Sequence, residues 1–216
     1  MILRAFLIVA LLAGHVAADP PPATLVSGEP ARGAKQDPVF KLLEQQRLAC
    51  TFAEQKHVAL LARPLTSSGT IVFDRDKGIV RAVLKPKPQT VVLTKTSLKI
   101  VKGKTVEEIP LDKSKDLKAF AMIFPTLLRG ERATLEKSFE IGLYGGEADW
   151  WALTFAPKSD ALKKFVKTVT VFGKKTDVVA LRIVEASGDS TDTQLTDVRR
   201  NKSVPDTEIA AAFGAN

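Results

Sequence analysis

The chain has 216 residues, with 32 Lys+Arg against 24 Asp+Glu for a formal net charge of +8; 26% of residues are charged and 45% apolar. That balance is ordinary for a globular protein and excludes collagen-like, coiled-coil and wholly disordered classes. A single cysteine excludes an intramolecular disulfide framework and a Cys-rich zinc site. The length predicts one domain, or at most two small ones, able to bury a core without covalent staples.

Met1-Ile2-Leu3-Arg4 carries a lone positive charge, Ala5 to Ala13 is uninterrupted and apolar, and Val16-Ala17-Ala18 offers small residues. The apolar block is too short to span a bilayer, so residues 1–18 are expected to be a cleaved secretory signal peptide and the protein to be exported. Cleavage would leave 31 basic against 24 acidic residues, a net +7. No later apolar run reaches membrane-spanning length, so the mature chain is expected to be soluble. Cys50 follows the polar Leu43-Glu44-Gln45-Gln46-Arg47 instead of an apolar block, which rules against lipid attachment and predicts a small buried thiol on a strand.

Residues 19–37 are rich in Pro, Gly, Ala and Lys and are expected to form a flexible lead-in. Helical spacing of Phe40, Leu43 and Arg47 predicts a short amphipathic helix after Pro38. Strand-like runs follow at 51–62, 70–73, 79–84, 90–93, 97–101 and 105–109, with Lys102-Gly103-Lys104 as a hairpin turn between the last two. Leu117, Phe120, Ala121, Phe124 and Leu128 then recur at helical spacing. Met122, Ile123 and Leu127 widen the stripe so far that the helix needs cover on most sides. Pro125 is expected to kink or split it. A short helix is expected near 133–139. Strands resume at 139–144, 150–155, 167–172, 177–185 and 194–198, and 208–213 is expected to form a terminal half-turn. Eleven short strands with polar turns predict an antiparallel meander in a sandwich or barrel, not a βαβ fold.

Catalytic signatures are absent from this pattern. No G-x-S-x-G, H-E-x-x-H or Walker loop occurs, and His57 is the one histidine outside the signal segment. Its odd spacing from Cys50 places the two on opposite faces of a strand, which argues against a His–Cys dyad. His57 is expected to be a half-exposed strand residue. No acid pair is singled out by spacing. Export and 6% aromatic content argue against nucleic acid as a partner. The basic balance then reads either as a solvated lysine-rich surface or as steering toward anionic partners such as lipid headgroups.

The informative feature is a mismatch. Strand alternation gives an open sheet one apolar face, built from Ile71 and Phe73, from Trp151, Leu153 and Phe155, from Val169 and Val171, and from Val179, Leu181 and Ile183. A single over-apolar, proline-interrupted helix can lie across that face, either plugging it as core or covering a hollow.

On several landmarks the chain resembles the LolA-type outer-membrane lipoprotein carriers, in a divergent LolA-like branch, over residues 38–213. They are the Phe52-x-x-Gln55 strand after an N-terminal helix, the run Arg63-Pro64-Leu65-Thr66-Ser67-Ser68-Gly69-Thr70-Ile71-Val72-Phe73, and the Gly78-Ile79 turn into Leu84-Lys85-Pro86. Trp151-x-Leu153-x-Phe155-x-Pro157 and Leu181-Arg182-Ile183-Val184-Glu185-Ala186-Ser187-Gly188-Asp189 complete them. The resemblance implies a mainly β fold with a helical lid, an incomplete antiparallel β-barrel enclosing an apolar cavity. It also implies a periplasmic, monomeric carrier without catalytic activity, metal or cofactor. Its cargo would be an acylated lipoprotein or other lipid, taken from an inner-membrane donor transporter and passed to an outer-membrane acceptor. The expected lid contacts are Phe120, Ile123, Phe124 and Leu127. The expected cavity wall is Ile71, Phe73, Trp151, Leu153, Phe155, Val169, Val171, Leu181 and Ile183. Arg75 sits near the place of the family's lid-closing arginine, and Arg81 or a neighbour replaces its tryptophan after the next turn. The competing readings are a secreted β-rich enzyme and a non-lipid binding module with a filled barrel.

Overall fold

The computed structural model describes residues 20–146 and 148–214; the expected signal peptide lies outside the described residues. These residues form eleven strands: β1 Arg47–His57, β2 Leu65–Asp74, β3 Gly78–Lys85, β4 Gln89–Leu93, β5 Ser97–Lys102, β6 Thr105–Pro110, β7 Phe139–Gly145, β8 Trp150–Pro157, β9 Val166–Lys174, β10 Asp177–Glu185 and β11 Ser190–Arg200. Every pairing is antiparallel, in one open sheet of order β6-β5-β4-β3-β2-β1-β11-β10-β9-β8-β7. The incomplete barrel expected from the sequence is therefore present. The first and last strands meet at its centre, and β6 and β7 are its two edges. The crossover between those edges, residues 111–138, carries α2 Lys115–Ala121, α3 Ile123–Leu127 and α4 Arg132–Glu136.

The expected helix over 117–128 is split, but not at Pro125. The break falls at Met122, whose φ −84° and ψ 1° leave the helical region. A proline ring clashes with the carbonyl four residues back, here that of Ala121, and proline is tolerated only in a first turn. Ending α2 at Ala121 and restarting at Ile123 puts Pro125 in the first turn of α3. The amide of Thr126 then returns to the Met122 carbonyl at 2.9 Å.

Several expectations shift for local reasons. The lead-in read as flexible is docked: Leu25 is buried with Trp150, Ala152, Phe172 and Ala180 on the outer face of the sheet. Ala31 exchanges backbone hydrogen bonds with Leu143 on edge strand β7, and Gln36 donates to the Ala31 and Ile141 carbonyls. An edge strand offers unpaired backbone groups, and a short extended segment satisfies them at small cost. Strand β1 starts and ends earlier than expected, because Val58–Leu61 closes as a turn, with the Leu61 amide donating to the Val58 carbonyl. The terminal half-turn is a longer helix, α6 Asp206–Gly214, which lays Ile209 on Ala49 and Val72. In β10 the register shifts between Val178 and Ala180. That bulge turns Val178 inward beside Leu181 and Ile183 and puts Val179, expected on the inner face, outward among the Leu25 cluster.

Trp151 fixes the register of β8 on β9. Its indole lies across Gly173, directly opposite in the ladder, and its Nε1 donates to the Lys175 carbonyl at 2.9 Å. A Cβ at position 173 would fall inside the indole. Gly173→Val is expected to cost about 1–3 kcal/mol by overpacking, measured by denaturant unfolding; unchanged stability would remove this account of the glycine.

Candidate functional site

The concave face of the sheet divides in two. Over β7, β8 and β9 it is closed. Phe139, Leu153, Phe155 and Val169 share a buried cluster with Phe40 and Leu43 of α1 (Asp37–Leu43), Leu135 of α4 and Leu162 of α5 (Asp160–Lys163). Phe139 and Phe155 meet edge to face, with centroids 6.3 Å apart. Over the middle strands the face is not filled. A cavity of about 160 Å³ lies between the sheet and the α2–α3 segment, walled by Leu48, Cys50, Ile71, Ile79, Val91, Leu93, Val171, Val178, Leu181, Ile183 and Leu195 and roofed by Phe120, Phe124, Pro125, Leu127 and Leu128.

Its two ends differ. Leu48, Leu93, Leu127 and Leu128 are buried and shut one end. At the other, Glu54, Arg81, Glu185, Thr191, Thr193 and the 47% exposed Phe165 line the opening. The charges there are internally matched. Arg81 Nη2 lies 2.8 Å from Glu54 Oε2, its guanidinium stacks 4.2 Å above the Phe52 ring, and Thr193 and Ser67 donate to the same carboxylate. Lys56 and Glu185 pair at 2.8 Å. Thr191 Oγ1, on a residue that lines this end, is buried without a hydrogen-bond partner. The arrangement suits an apolar chain with a polar, uncharged attachment at one end.

The roof is tied down at its far end. The Gln45 amide donates to the Leu128 carbonyl at 2.8 Å, Arg129 Nε donates to the Arg75 carbonyl at 3.3 Å, and Arg132 pairs with Asp37 at 2.9 Å. Ile123 and Leu127 are each only 1% exposed, whereas Phe120 and Phe124 are half-buried. The segment is thus anchored through α3 and presents two loosely covered rings to the hollow.

Of the residues singled out from the sequence, Ile71, Phe120, Phe124, Leu127, Val171, Leu181 and Ile183 line the cavity. Phe73, Ile123, Trp151, Leu153, Phe155 and Val169 do not; they belong to the packed core beside it. Arg75 also lies away from it: its guanidinium reaches Glu44 at 3.4 Å, and the arginine that bridges roof and turn is Arg129, from the roof side. His57 ends β1, half-exposed, and Cys50 is buried as expected. Leu48, Cys50, Ile79, Val91 and Leu93 were legible as alternating strand residues, but pairing order alone puts them under the roof. Nothing local in the sequence marks Arg129.

The family described as "Outer membrane lipoprotein carrier protein LolA-like" matches residues 29–213, beginning before residue 38 and so taking in Ala31 and Gln36. Among solved structures, the chain is similar to a LolA superfamily protein of Nitrosomonas europaea at 11% identity and TM-score 0.46, covering 82% of this chain and 97% of that one. A DUF1329 family protein of Desulfovibrio piger is similar at 11% identity and TM-score 0.43, over 81% and 95%. A chain of the MucA/MucB complex of Pseudomonas aeruginosa is similar at 11% identity and TM-score 0.47, over 82% and 60%. No curated protein matches the chain.

Burial in the cavity wall pushes the Cys50 thiol up to about 12. The unfolded thiol ionises near its ordinary value of about 8.5. Between about pH 9 and pH 12 the unfolded state therefore gives up a proton that the folded state keeps, and rising pH favours unfolding. Below that window the thiol is protonated in both states and contributes no pH dependence. Stability measured against pH should fall more steeply for the wild type than for Cys50→Ala, by up to about 1.4 kcal/mol per unit. Superimposable pH profiles would contradict a thiol buried in this wall.

Proposed function

The chain belongs to the LolA-like outer membrane lipoprotein carrier family, and from that premise we propose that it is a periplasmic carrier that shields the acyl chains of a lipoprotein or other lipid beneath the α2–α3 lid. It takes the cargo from an inner-membrane donor transporter, hands it to an outer-membrane acceptor, and works as a monomer without catalysis, cofactor or nucleic acid. The observation that carries this reading is the unfilled apolar hollow under Phe120 and Phe124. A binding module with a filled barrel would have no such space.

The energetics explain both the need and the lid. Each methylene held out of water is worth about 0.8 kcal/mol, so a chain of about 16 carbons exposes roughly 13 kcal/mol of unfavourable surface in crossing an aqueous space. At about 160 Å³ the cavity beneath the lid is close to the 150 Å³ or so that holds a benzene-sized molecule. A whole acyl chain needs more room, so it enters by lifting Phe120 and Phe124. The packing of those rings on the sheet is lost on loading, which subtracts from affinity and lets the cargo leave. Ile123 and Leu127, fully buried, keep the lid attached throughout. Arg81 and Glu54 keep the opening polar while the wall behind them stays apolar.

Gently purified protein should carry lipid detectable by mass spectrometry and should extract labelled acyl lipid from vesicles. Phe124→Asp, placed at a half-buried ring, should fold with near-normal thermal stability and lose most of that extraction. Full extraction by a folded Phe124→Asp variant would refute the lid, and absence of any acyl-lipid binding by the wild type would refute carriage.

A further inference from the structure

Seven large apolar side chains are exposed among the described residues, and five of them, Leu60, Leu61, Leu84, Val106 and Phe165, stand at one edge of the sheet. This is the edge where β1, β3, β5 and β10 end and β2, β4, β6 and β11 begin. It is also where Glu54, Arg81 and Phe165 line the cavity opening. Leu60, at 94% exposure, is the extreme case. Its loop is held in shape: the Leu61 amide donates to the Val58 carbonyl at 2.9 Å, and the Ala59 amide donates to Asp189 of the neighbouring β10–β11 loop at 3.1 Å. A leucine on a fixed turn in full contact with water is presented outward, and scattered exposure does not explain five such residues on one edge.

The same edge is basic. Arg63, Lys85, Lys87, Lys102, Lys104 and Lys164 are exposed there, and none is in an ion pair among the described residues. The four hairpin loops and the β8–β9 connection hold two acids, Asp160 and Asp189. The first faces Lys163 at 3.1 Å and the second accepts from the Ala59 amide. Pro86 and Pro88 stiffen the loop that carries Lys85 and Lys87. Apolar tips that enter the headgroup boundary, ringed by cations that meet acidic lipid, are the combination that seats a protein on an anionic bilayer.

We propose that this edge docks on the surface of an anionic phospholipid bilayer, with Leu60 and Leu61 inserted and the lysine ring on the headgroups, so that the cavity mouth faces the membrane. Leu60, Leu61, Lys85 and Lys87 lie outside the hollow, so docking is tested apart from lipid carriage. The probes are vesicles of phosphatidylcholine alone and of phosphatidylcholine with phosphatidylglycerol, and the readout is co-sedimentation of the full chain at low and at high salt.

Binding is expected to the acidic vesicles, to weaken with salt, and to be weak on the neutral ones. Leu60→Asp/Leu61→Asp and Lys85→Glu/Lys87→Glu should each reduce it roughly tenfold or more, without moving the melting temperature or the binding of a soluble acyl ligand. Lys95→Glu/Lys202→Glu, on the opposite edge with the same change in net charge, should leave it nearly intact. Equal losses from the two lysine pairs would overturn the proposal, because binding would then follow net charge and not place. So would wild-type binding indifferent to Leu60 and Leu61, or no preference for acidic vesicles while acyl ligand still binds, which would assign the edge to a protein partner.

Discussion

An open antiparallel sheet with an apolar concave face cannot stay uncovered, and over its middle strands the cover comes from the crossover between the two edge strands. The eleven strands leave β6 and β7 as edges at opposite ends of the order. The connection between those edges crosses the concave side, and it carries a strongly apolar helical stretch, Leu117 to Leu128. The strand order thus makes the crossover a roof. A roof anchored through α3 can lift its half-buried rings without unravelling the sheet, because the strand ladder does not pass through it.

The two parts of the concave face do different work. Over β7, β8 and β9 it is filled by α1, α4 and α5, with Phe155, Leu153 and Val169 each buried. That half resembles an ordinary core, and it holds the curvature. Over the middle strands the same alternation meets a roof that falls short of filling it. The break at Met122 sets the angle between α2 and α3, and Pro125 sets the break. A continuous helix would present Phe120 and Phe124 along one straight stripe; the split lets α3 settle on the sheet through Ile123 and Leu127 while the two rings stay half-covered. The opening is polar, with Arg81 stacked on Phe52 and paired to Glu54, while the wall behind it is apolar.

Much of this architecture could be read from local pattern. Alternation in Ile79 to Leu84 or Trp150 to Phe155 reports two faces, and the over-apolar stretch around Phe120 reports an element that needs cover. What local pattern does not contain is pairing order. Trp151, Leu153, Phe155 and Val169 look like a cavity wall as much as Ile79 or Val91 does; which strands lie under α2–α3 is decided by the β1–β11 pairing at the centre of the sheet. The bulge at Val178 was hidden for a similar reason, since it exists only relative to β9. Composition also misled at the start of the domain, where a Pro- and Gly-rich stretch closes an exposed strand edge through Ala31. Arg129 carries no sequence mark because its role depends on a turn more than fifty residues away, at Arg75.

The central claim is that a guest chain takes the place of the lid's own aromatic rings. Hydrogen–deuterium exchange, compared between the empty protein and the protein loaded with a long-chain acyl ligand, reads this directly. The account predicts faster exchange of amides in residues 115–124 on loading, with β8 and β9 unchanged. Saturating ligand that leaves exchange in that segment unaltered would contradict it.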